Sequence, residues 1–291
     1  MSLISDRCCA IFVTYNPDST LIKNVSSVLQ QASEIVIVDN ASNINTQAVL
    51  KDISKDKRVT LILNDRNQGI AYALNQGVKY AISHDYQWLL TFDQDSLAPP
   101  DYLELLLSTY YGAEDRDSIA IVSPTYTTST GIVSFARSSK NSENKSYSDV
   151  ETTMTSGNLI LTKVFRTVGL FNEDFFIDFV DHEYSLRLAR SGFRIIESRQ
   201  ARLQHELGAS TSHNFLGLNI FTTNHNSIRR YYKYRNMISI LKTYCFDSFS
   251  ISFQILRAFV FEPIEILMFE QDKRSKLKSI LKGIYHGIKG I

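Results

Sequence analysis

The feature that most limits the fold of this chain is the regular alternation of short apolar runs with helical segments through its first half. The apolar runs are rich in β-branched residues and end in polar residues, and the segments between them carry apolar residues three or four positions apart. This alternation is typical of βαβ units. We therefore predict an α/β fold in which helices flank a mostly parallel sheet. The predicted strands are Cys8–Thr14, Glu34–Val38, Val59–Leu63, Trp88–Phe92 and Ile119–Val122, and the predicted helices are Ser19–Ala32, Thr46–Ser54, Ile70–Ser83 and Tyr102–Tyr110.

The second half of the chain has a different pattern. A Ser- and Asn-rich stretch, Ser138–Asp149, predicts a mobile loop. A long helical pattern from about Ser227 predicts a C-terminal helical extension, so we place one domain at 1–228 and the extension at 229–291. The extension holds 12 Lys/Arg and 5 Asp/Glu, a net charge of +7, against −6 for the rest, and this basic charge predicts an anionic partner. The other predicted elements are the strand Asn158–Thr162, the helix Asp181–Ser191 and the strand Arg194–Glu197.

Cysteine usage and hydropathy bear on the cellular compartment. The three cysteines have neither disulfide-framework nor zinc-site spacing, which favours free thiols and a reducing compartment. The N-terminus lacks the pattern of a signal peptide, and the stretch nearest to a membrane span, Ile251–Phe269, is interrupted by three charged residues. We therefore expect a cytoplasmic protein without a transmembrane helix, and peripheral contact with the inner face of the cell membrane remains open.

Two carboxylates, Asp93 and Asp95, follow the predicted strand Trp88–Phe92. Residues two apart on an extended chain point to the same side, and neighbouring carboxylates repel each other unless a cation lies beside them. Mg²⁺ and Mn²⁺ bind carboxylate oxygens and keep positions open for phosphate oxygens. The pair is therefore a candidate metal site that would neutralise a departing diphosphate. The alternative is a solvated turn in which Asp95 caps the next segment.

Polar residues also end the neighbouring predicted strands, at Thr14 and Asp39. Because ligands bind beyond the carboxyl ends of parallel strands, we expect these side chains to share one edge with the carboxylate pair. There Asp39 could accept a hydrogen bond from a pyrimidine ring N–H, although a plain turn is the better explanation of this residue taken alone. Gly69 begins a helix with small residues on one face, which close packing explains. Close packing does not explain why an arginine, Arg66, lies three residues before Gly69.

Asp181 is the candidate for proton chemistry. It begins a predicted helix, and a carboxylate held there inside a cleft can deprotonate a hydroxyl. The alternative, which is compatible with that role, is an N-cap, with Glu183 favoured by the helix dipole. His205 is a lone histidine, a residue type that is more often structural than a metal ligand.

Four cations and three tyrosines lie together in Arg229–Asn236. One alternative is a solvated basic helix face, and another is nucleic-acid binding, which uses such residues for phosphate contacts. The acidic charge of the rest of the chain and the lack of a nucleic-acid motif disfavour nucleic acid. The binding of a diphosphate or of anionic lipid headgroups fits better.

Together these residues resemble the inverting family 2 glycosyltransferases with the GT-A fold. The resemblance rests on the order and spacing of Val13–Pro17, Val38–Asn40, Asn67–Ala71, Asp93–Asp95, Ser156–Asn158 and Phe176–Arg187. The last of these blocks, with His205–Gly208 and Arg229–Asn236, is most similar to bacterial rhamnosyltransferases of that family. The resemblance therefore implies a Rossmann-like GT-A sheet and a nucleotide-sugar donor.

The resemblance also implies a role for each candidate residue. Asp181 is implied as the catalytic base, although Val180 stands where the family motif has an acid. Asp95 is implied to bind Mg²⁺ or Mn²⁺ with Asp93 and His205. The residues implied to bind the nucleotide sugar are Thr14, Tyr15, Asn16, Asp39, Asn40, Arg66, Gly69, Asp93, Gln94, Arg229 and Arg230, and those implied to bind the acceptor are Gly157, Asn158, Asp178 and Glu183.

The implied reaction is one displacement that inverts the anomeric carbon. The expected donor is dTDP-rhamnose or a UDP-sugar, and the expected acceptor is a glycan, free or lipid-linked, of a cell-surface polysaccharide. We expect the C-terminal helices either to contact an anionic membrane or to form a homodimer, and we expect no nucleic-acid partner. A sugar-nucleotide pyrophosphorylase is disfavoured because Thr14–Asp18 lacks a glycine-rich phosphate loop. A non-catalytic nucleotide-sugar-binding protein is disfavoured because the candidate catalytic residues are all present.

Overall fold

The computed structural model describes residues 7–128, 131–135, 145–204, 211–215 and 218–291. The chain forms two compact units. Unit 1 consists of Met1–Asp174 and Val180–Glu206, and unit 2 consists of Phe175–Phe179 and Leu207–Ile291.

Unit 1 is built on a mixed sheet with nine strands among the described residues. The strands are β1 Cys8–Thr14, β2 Glu34–Asp39, β3 Val59–Leu63, β4 Trp88–Asp93, β5 Ile119–Thr128, β6 Gly131–Val133, β7 Tyr147–Val150, β8 Leu159–Leu161 and β9 Arg194–Gln204. Their order is β3-β2-β1-β4-β8-β5-β9-β7, and β6 pairs with β5. Neighbours from β3 to β4 are parallel, as are β5 and β9, whereas β8 is antiparallel to both β4 and β5. The carboxyl ends of β1, β2 and β4 therefore meet at one edge.

Helices flank this sheet, as the alternation predicts. They are α1 Thr20–Leu29, α2 Gln47–Ile53, α3 Ile70–Ser83, α4 Tyr102–Gly112, α5 Val164–Val168 and α6 Val180–Arg190. The strands β1, β2 and β4 are buried almost throughout, and Phe12 stacks on Phe92 between β1 and β4 with 4.9 Å between ring centroids. Apolar burial of this extent is the main stabilising term of such a fold.

Two details of the sequence-based prediction are wrong. Tyr147–Asp149, the last part of the predicted loop, forms β7 together with Val150 and pairs antiparallel with β9. Tyr147 and Ser148 are buried in this pairing, although the polar composition of the stretch predicts a mobile loop. Most of the predicted loop, residues 138–144, lies outside the described residues. In addition, the chain turns directly after Asp93, so the alternation of an extended strand does not relate Asp95 to Asp93.

Unit 2 contains the expected helical extension. Its elements are the antiparallel strands β10 Thr211–Phe215 and β11 Leu218–Thr222 and the helices α7 Ser227–Tyr244, α8 Phe249–Phe269 and α9 Lys273–Lys289. α9 packs closely on α7 at Gly283 and Gly287, where a Cβ atom would overlap the backbone of Tyr231 and Arg235. Within the described residues, no helix has both the length and the hydropathy that a membrane crossing needs.

Candidate active site

A buried carboxylate ends β2. Asp39 is 2% exposed, and its Oδ1 accepts hydrogen bonds from Thr14 Oγ1 at 2.8 Å and Ser42 Oγ at 2.5 Å. The backbone N–H of Ser42 donates to Oδ2 at 2.8 Å. A carboxylate has about four lone-pair positions, so these three bonds leave Asp39 able to accept one more. The backbone N–H of Asn16 also donates to Ser42 Oγ at 2.7 Å, which brings the β1 and β2 ends together as predicted.

Asn40 links this edge to β3 and α3. Its Nδ2 donates to the carbonyl of Gly69 at 2.9 Å, and its Oδ1 accepts from Gln68 N–H at 3.1 Å and Asn64 Nδ2 at 3.2 Å. Gly69 has φ 91°, a conformation that favours glycine, directly before α3 begins. Asn40 and Gly69 are thus brought together, and Asn40 holds the loop that contains the exposed Arg66.

The turn with the two candidate metal ligands is tied to β1 and α1. Gln94 Oε1 accepts from the backbone N–H of Tyr15 at 2.8 Å, and Asn24 Nδ2 donates to the carbonyl of Gln94 at 2.8 Å. Asp95 is exposed, and Asp93 is half-buried. The expected sharing of one edge by Thr14, Asp39 and the Asp93–Asp95 turn is therefore observed, since Thr14 pairs with Asp39 and Val13 with Asp93 in the sheet.

The donor chemistry of Asp93 and Asp95 suits a hard divalent cation. Mg²⁺ is commonly held by one or two carboxylates, with waters and substrate phosphates as its other ligands. No cluster of three or more His, Cys, Asp or Glu side chains with metal-site geometry occurs in the part of the chain that the structure describes. Two carboxylates are a donor set of the kind that Mg²⁺ commonly takes, and the predicted third ligand, His205, lies outside the described residues.

The segment Ser156–Asn158 joins β4, the strand that ends at the candidate metal ligand Asp93, to the interior of unit 1. Ser156 Oγ accepts from the backbone N–H of Asp93 at 3.0 Å, and Gly157 N–H donates to the carbonyl of Thr91 at 2.5 Å. Gly157 has φ 85°, and a Cβ there would lie 2.5 Å from Tyr102 Oη, whose hydroxyl donates to the Gly157 carbonyl. Only glycine fits at this close approach.

Asp181 and Asn158, a residue of the same segment, line one small cavity. The other residues of its wall are Ile121, Thr153, Thr155, Ile160, Phe171, Tyr184 and Ser185. Tyr126 also contacts this segment, because its hydroxyl donates to the carbonyl of Ser156 at 2.8 Å. Burial raises the pKa of Tyr126, and the nearby carboxylates of Asp181 and Asp93 raise it further. Both carboxylates are therefore close to one buried tyrosine.

The first turn of α6 sets the environment of Asp181. Because α6 begins at Val180, Asp181 lies inside that turn and is not the cap residue. Its Oδ1 accepts from the backbone N–H of His182 at 2.9 Å and bonds His182 Nδ1 at 2.8 Å. Burial by itself raises the pKa of Asp181, but the charge and hydrogen bonds of His182 bring this pKa below its ordinary value. Such a carboxylate is ionised at neutral pH, as a general base must be.

Glu183, predicted to bind the acceptor, is engaged by an arginine of its own helix. It is 5% exposed and forms a bidentate ion pair with Arg187, with both N···O distances 2.9 Å. Arg187 also donates to the carbonyls of Val168 and Leu170 at 2.8 Å. This geometry favours a structural role for Glu183.

Within unit 2, the basic segment of α7 holds Phe175–Phe179. Arg229 forms a bidentate ion pair with Asp178, with Nη2 2.8 Å from Oδ1, and Asn236 Nδ2 donates to the carbonyls of Ile177 and Asp178 at 2.9 and 2.8 Å. Asp178 has φ 63°, so these bonds stabilise an otherwise strained backbone. Within unit 2, the Arg229 guanidinium is therefore already paired with the carboxylate of Asp178.

Arg230 is buried in a second ionic cluster of unit 2. Its Nη1 lies 3.0 Å from Glu262 Oε2, and its Nη2 lies 2.6 Å from Glu270 Oε1. Lys276 Nζ lies 2.9 Å from the other Glu270 oxygen, and Lys233 pairs with Glu262. The Arg230 side chain is 4% exposed, which favours a structural role over the predicted contact with a diphosphate.

Sequence reasoning missed three residues that organise the site: Ser42, Tyr126 and His182. Ser42 has no sequence signal, because loop serines are common. Tyr126 lies beyond the predicted end of its strand, at Val122. His182 is adjacent to Asp181 and could have been singled out on that ground.

Comparison with known proteins gives one family. Residues 9–168 match the family model Glycosyl transferase family 2. The dTDP-rhamnosyl transferase RfbF of Shigella flexneri is 29% identical over 296 residues, which cover 97% of this chain and 94% of RfbF.

Solved structures agree on the fold. GalNAc-T7 with UDP, GalNAc and Mn²⁺ has a TM-score of 0.65 at 15% identity, covering 96% of this chain and 54% of that one, so this chain spans about half of it. TarS 1–349 of S. aureus has a TM-score of 0.60 at 16% identity, covering 97% and 81%. Because the family match covers more than half of the residues, this chain belongs to glycosyl transferase family 2 and is a glycosyltransferase with the GT-A fold.

Proposed function

We propose that this glycosyltransferase moves L-rhamnose from dTDP-rhamnose to a hydroxyl group of an acceptor glycan in cell-surface polysaccharide synthesis. The observation that carries the proposal is that Asp93 and Asp181 both neighbour the segment Ser156–Asn158 and the same buried Tyr126: Ser156 bonds the backbone of Asp93, and Asn158 lines a cavity with Asp181. The similarity to a dTDP-rhamnosyl transferase over nearly its whole length supports rhamnose as the sugar.

In this proposal each residue has a separate task. Asp39 uses its remaining lone pair to accept the ring N–H of thymine. Asp181 takes the proton of the acceptor hydroxyl while that oxygen attacks the anomeric carbon and the bond to the diphosphate breaks. One displacement inverts the anomeric carbon, so no residue forms a covalent intermediate. When bound at Asp93 and Asp95, Mg²⁺ or Mn²⁺ would stabilise the charge of the departing diphosphate.

Donor binding tests the proposal through protein stability. A ligand that binds only the folded protein, present at a hundred times its Kd, stabilises it by about 2.7 kcal/mol. We expect dTDP-rhamnose with Mn²⁺ to raise the melting temperature more than any UDP-sugar does, and EDTA to reduce this shift.

Two variants sharpen the donor experiment. Asp95→Asn should lose the part of the shift that depends on metal, whereas Asp52→Asn, at an exposed position on α2, should keep it. A larger shift with a UDP-sugar would contradict dTDP-rhamnose as the donor. No shift with any sugar nucleotide would contradict the proposed function.

We further propose that the acceptor is lipid-linked and that unit 2 contacts the inner face of the cell membrane. In this proposal the transferase domain is 1–228, and the basic extension 229–291 provides the contact. α8 exposes a run of large apolar side chains, Phe249, Phe253, Leu256, Val260, Phe261, Ile264, Leu267 and Met268. α9 exposes Leu281, Tyr285 and Ile288 among the cations Lys273, Arg274, Lys278, Lys282 and Lys289. Apolar residues interleaved with cations are typical of helices that lie on anionic membranes.

Vesicle binding tests the membrane contact. Each lysine near an anionic surface contributes about 1 kcal/mol, so Lys278→Gln with Lys282→Gln should weaken binding to phosphatidylglycerol vesicles about thirtyfold. The control, Lys55→Gln with Lys57→Gln, removes two exposed lysines of unit 1 and should leave binding unchanged. Absence of vesicle binding, with a dimer detected by light scattering, would instead support self-association through the C-terminal helices.

A further inference from the structure

We propose that His182 is a positioning residue that fixes the carboxylate of Asp181 for proton transfer. This inference rests on the proposed role of Asp181 as the general base. It concerns a side chain of this chain that composition and motif spacing do not single out.

The geometry of the pair carries the proposal. Both hydrogen bonds from His182, the backbone N–H at 2.9 Å and the ring Nδ1 at 2.8 Å, fall on the same oxygen of Asp181, Oδ1. Two donors on one oxygen fix the rotation of a carboxylate about its χ angles, because turning the group would break both bonds. Oδ2 is then the oxygen that takes the acceptor proton.

The surroundings of the pair make this fixation useful. The side chains of His182 and Asp181 are 29% and 23% exposed, so the ring and the carboxylate lie at the edge of the interior, where an unheld carboxylate could rotate towards water. Ile121, Ile160 and Phe171 form an apolar part of the wall of the cavity beside Asp181. A general base is effective only within hydrogen-bond reach of the proton it takes, so its orientation directly affects the rate.

Two substitutions at position 182 distinguish the effect of the imidazole ring itself from the effect of the hydrogen bond that the ring donates. His182→Leu removes the side-chain donor, and we expect kcat to fall about tenfold to a hundredfold while KM for the donor stays within about twofold. His182→Asn places an amide N–H near the position of Nδ1, so it should restore kcat to within about threefold of the wild type. Initial rates of dTDP release from dTDP-rhamnose, measured with Mn²⁺ and acceptor, give both constants.

A double-mutant cycle shows whether His182 acts through Asp181. In the Asp181→Asn background, His182→Leu should cost almost nothing, because the carboxylate that it positions is gone. His84→Asn, at an exposed histidine after α3, is the matched control and should leave kcat unchanged. Thermal melts of each variant check that the fold is kept.

The outcomes distinguish this inference from the proposed function. Equal losses from His182→Leu in the wild-type and Asp181→Asn backgrounds would overturn the positioning role, as would an unchanged kcat in an active enzyme. Failure of His182→Asn to restore activity, with the fold intact, would also overturn it. If the wild-type protein released no nucleotide from any sugar nucleotide, the proposed function itself would fail.

Discussion

Asp181→Asn is expected to lower the rate of sugar transfer about 10²- to 10⁴-fold while the donor still binds. The substitution keeps the size and most of the hydrogen bonding of the side chain, but an amide cannot take a proton from an attacking hydroxyl. The prediction follows from the position of Asp181 in the cavity with Asn158 and from the lowered pKa, which keeps the wild-type carboxylate ionised at neutral pH. The measurement is kcat for transfer, with donor binding followed separately by the thermal shift.

A nearby acid provides the control for this experiment. Asp174→Asn removes an exposed carboxylate seven positions earlier and should leave the rate unchanged. Transfer at the wild-type rate by Asp181→Asn would exclude Asp181 as the base. Loss of donor binding by the same variant would assign it to the donor site instead.

Glu270→Ala is expected to destabilise unit 2 by about 3–5 kcal/mol, because it removes the carboxylate partner of the buried Lys276 and one of the two carboxylate partners of the buried Arg230. Glu270 is 1% exposed at its side chain and pairs with Arg230 at 2.6 Å and Lys276 at 2.9 Å, each 4% exposed. Arg230 belongs to α7, Lys276 belongs to α9, and Glu270 directly follows α8, so the cluster joins all three helices. Urea denaturation followed by far-ultraviolet circular dichroism reports the loss of helix, while the single tryptophan, Trp88, reports on unit 1.

An exposed ion pair gives the matched control for the buried cluster. Glu114 and Lys145 lie 2.7 Å apart, a similar distance, but their side chains are 74% and 43% exposed. Glu114→Ala should therefore lower the stability of the protein far less than Glu270→Ala does. Equal effects of the two substitutions would show that the buried cluster does not hold the helices together.

The sequence predicts those parts of the fold that depend on local pattern. Hydrophobic periodicity identifies β1 and β3 and gives the bounds of α3, Ile70–Ser83. It does so because each of these elements is buried along one face or over its whole length. It does not predict β7, whose burial comes from pairing with β9, a strand far away in the chain. The periodicity also does not predict the direction of β8, which lies between β4 and β5 and is antiparallel to both.

The candidate site divides in the same way. Thr14, Asp39 and Asp93 can be found from sequence because each ends a strand, and parallel strands bring their ends to one edge. Arg230 and Glu183 look like ligand-binding residues in sequence. In the structure, Arg230 pairs with a carboxylate that only the tertiary structure brings near, and Glu183 pairs with an arginine on the surface of its own helix. A charged residue type in a motif does not show whether its charge is already paired.

The configuration of the product tests the central claim most directly. Purified protein, dTDP-β-L-rhamnose, Mn²⁺ and a glycan acceptor should give a rhamnoside whose anomeric centre can be assigned by nuclear magnetic resonance. Attack by a hydroxyl that Asp181 deprotonates predicts an α-linked product, formed together with one dTDP per sugar transferred. A β-linked product would contradict the single displacement on which the roles of Asp181 and His182 depend.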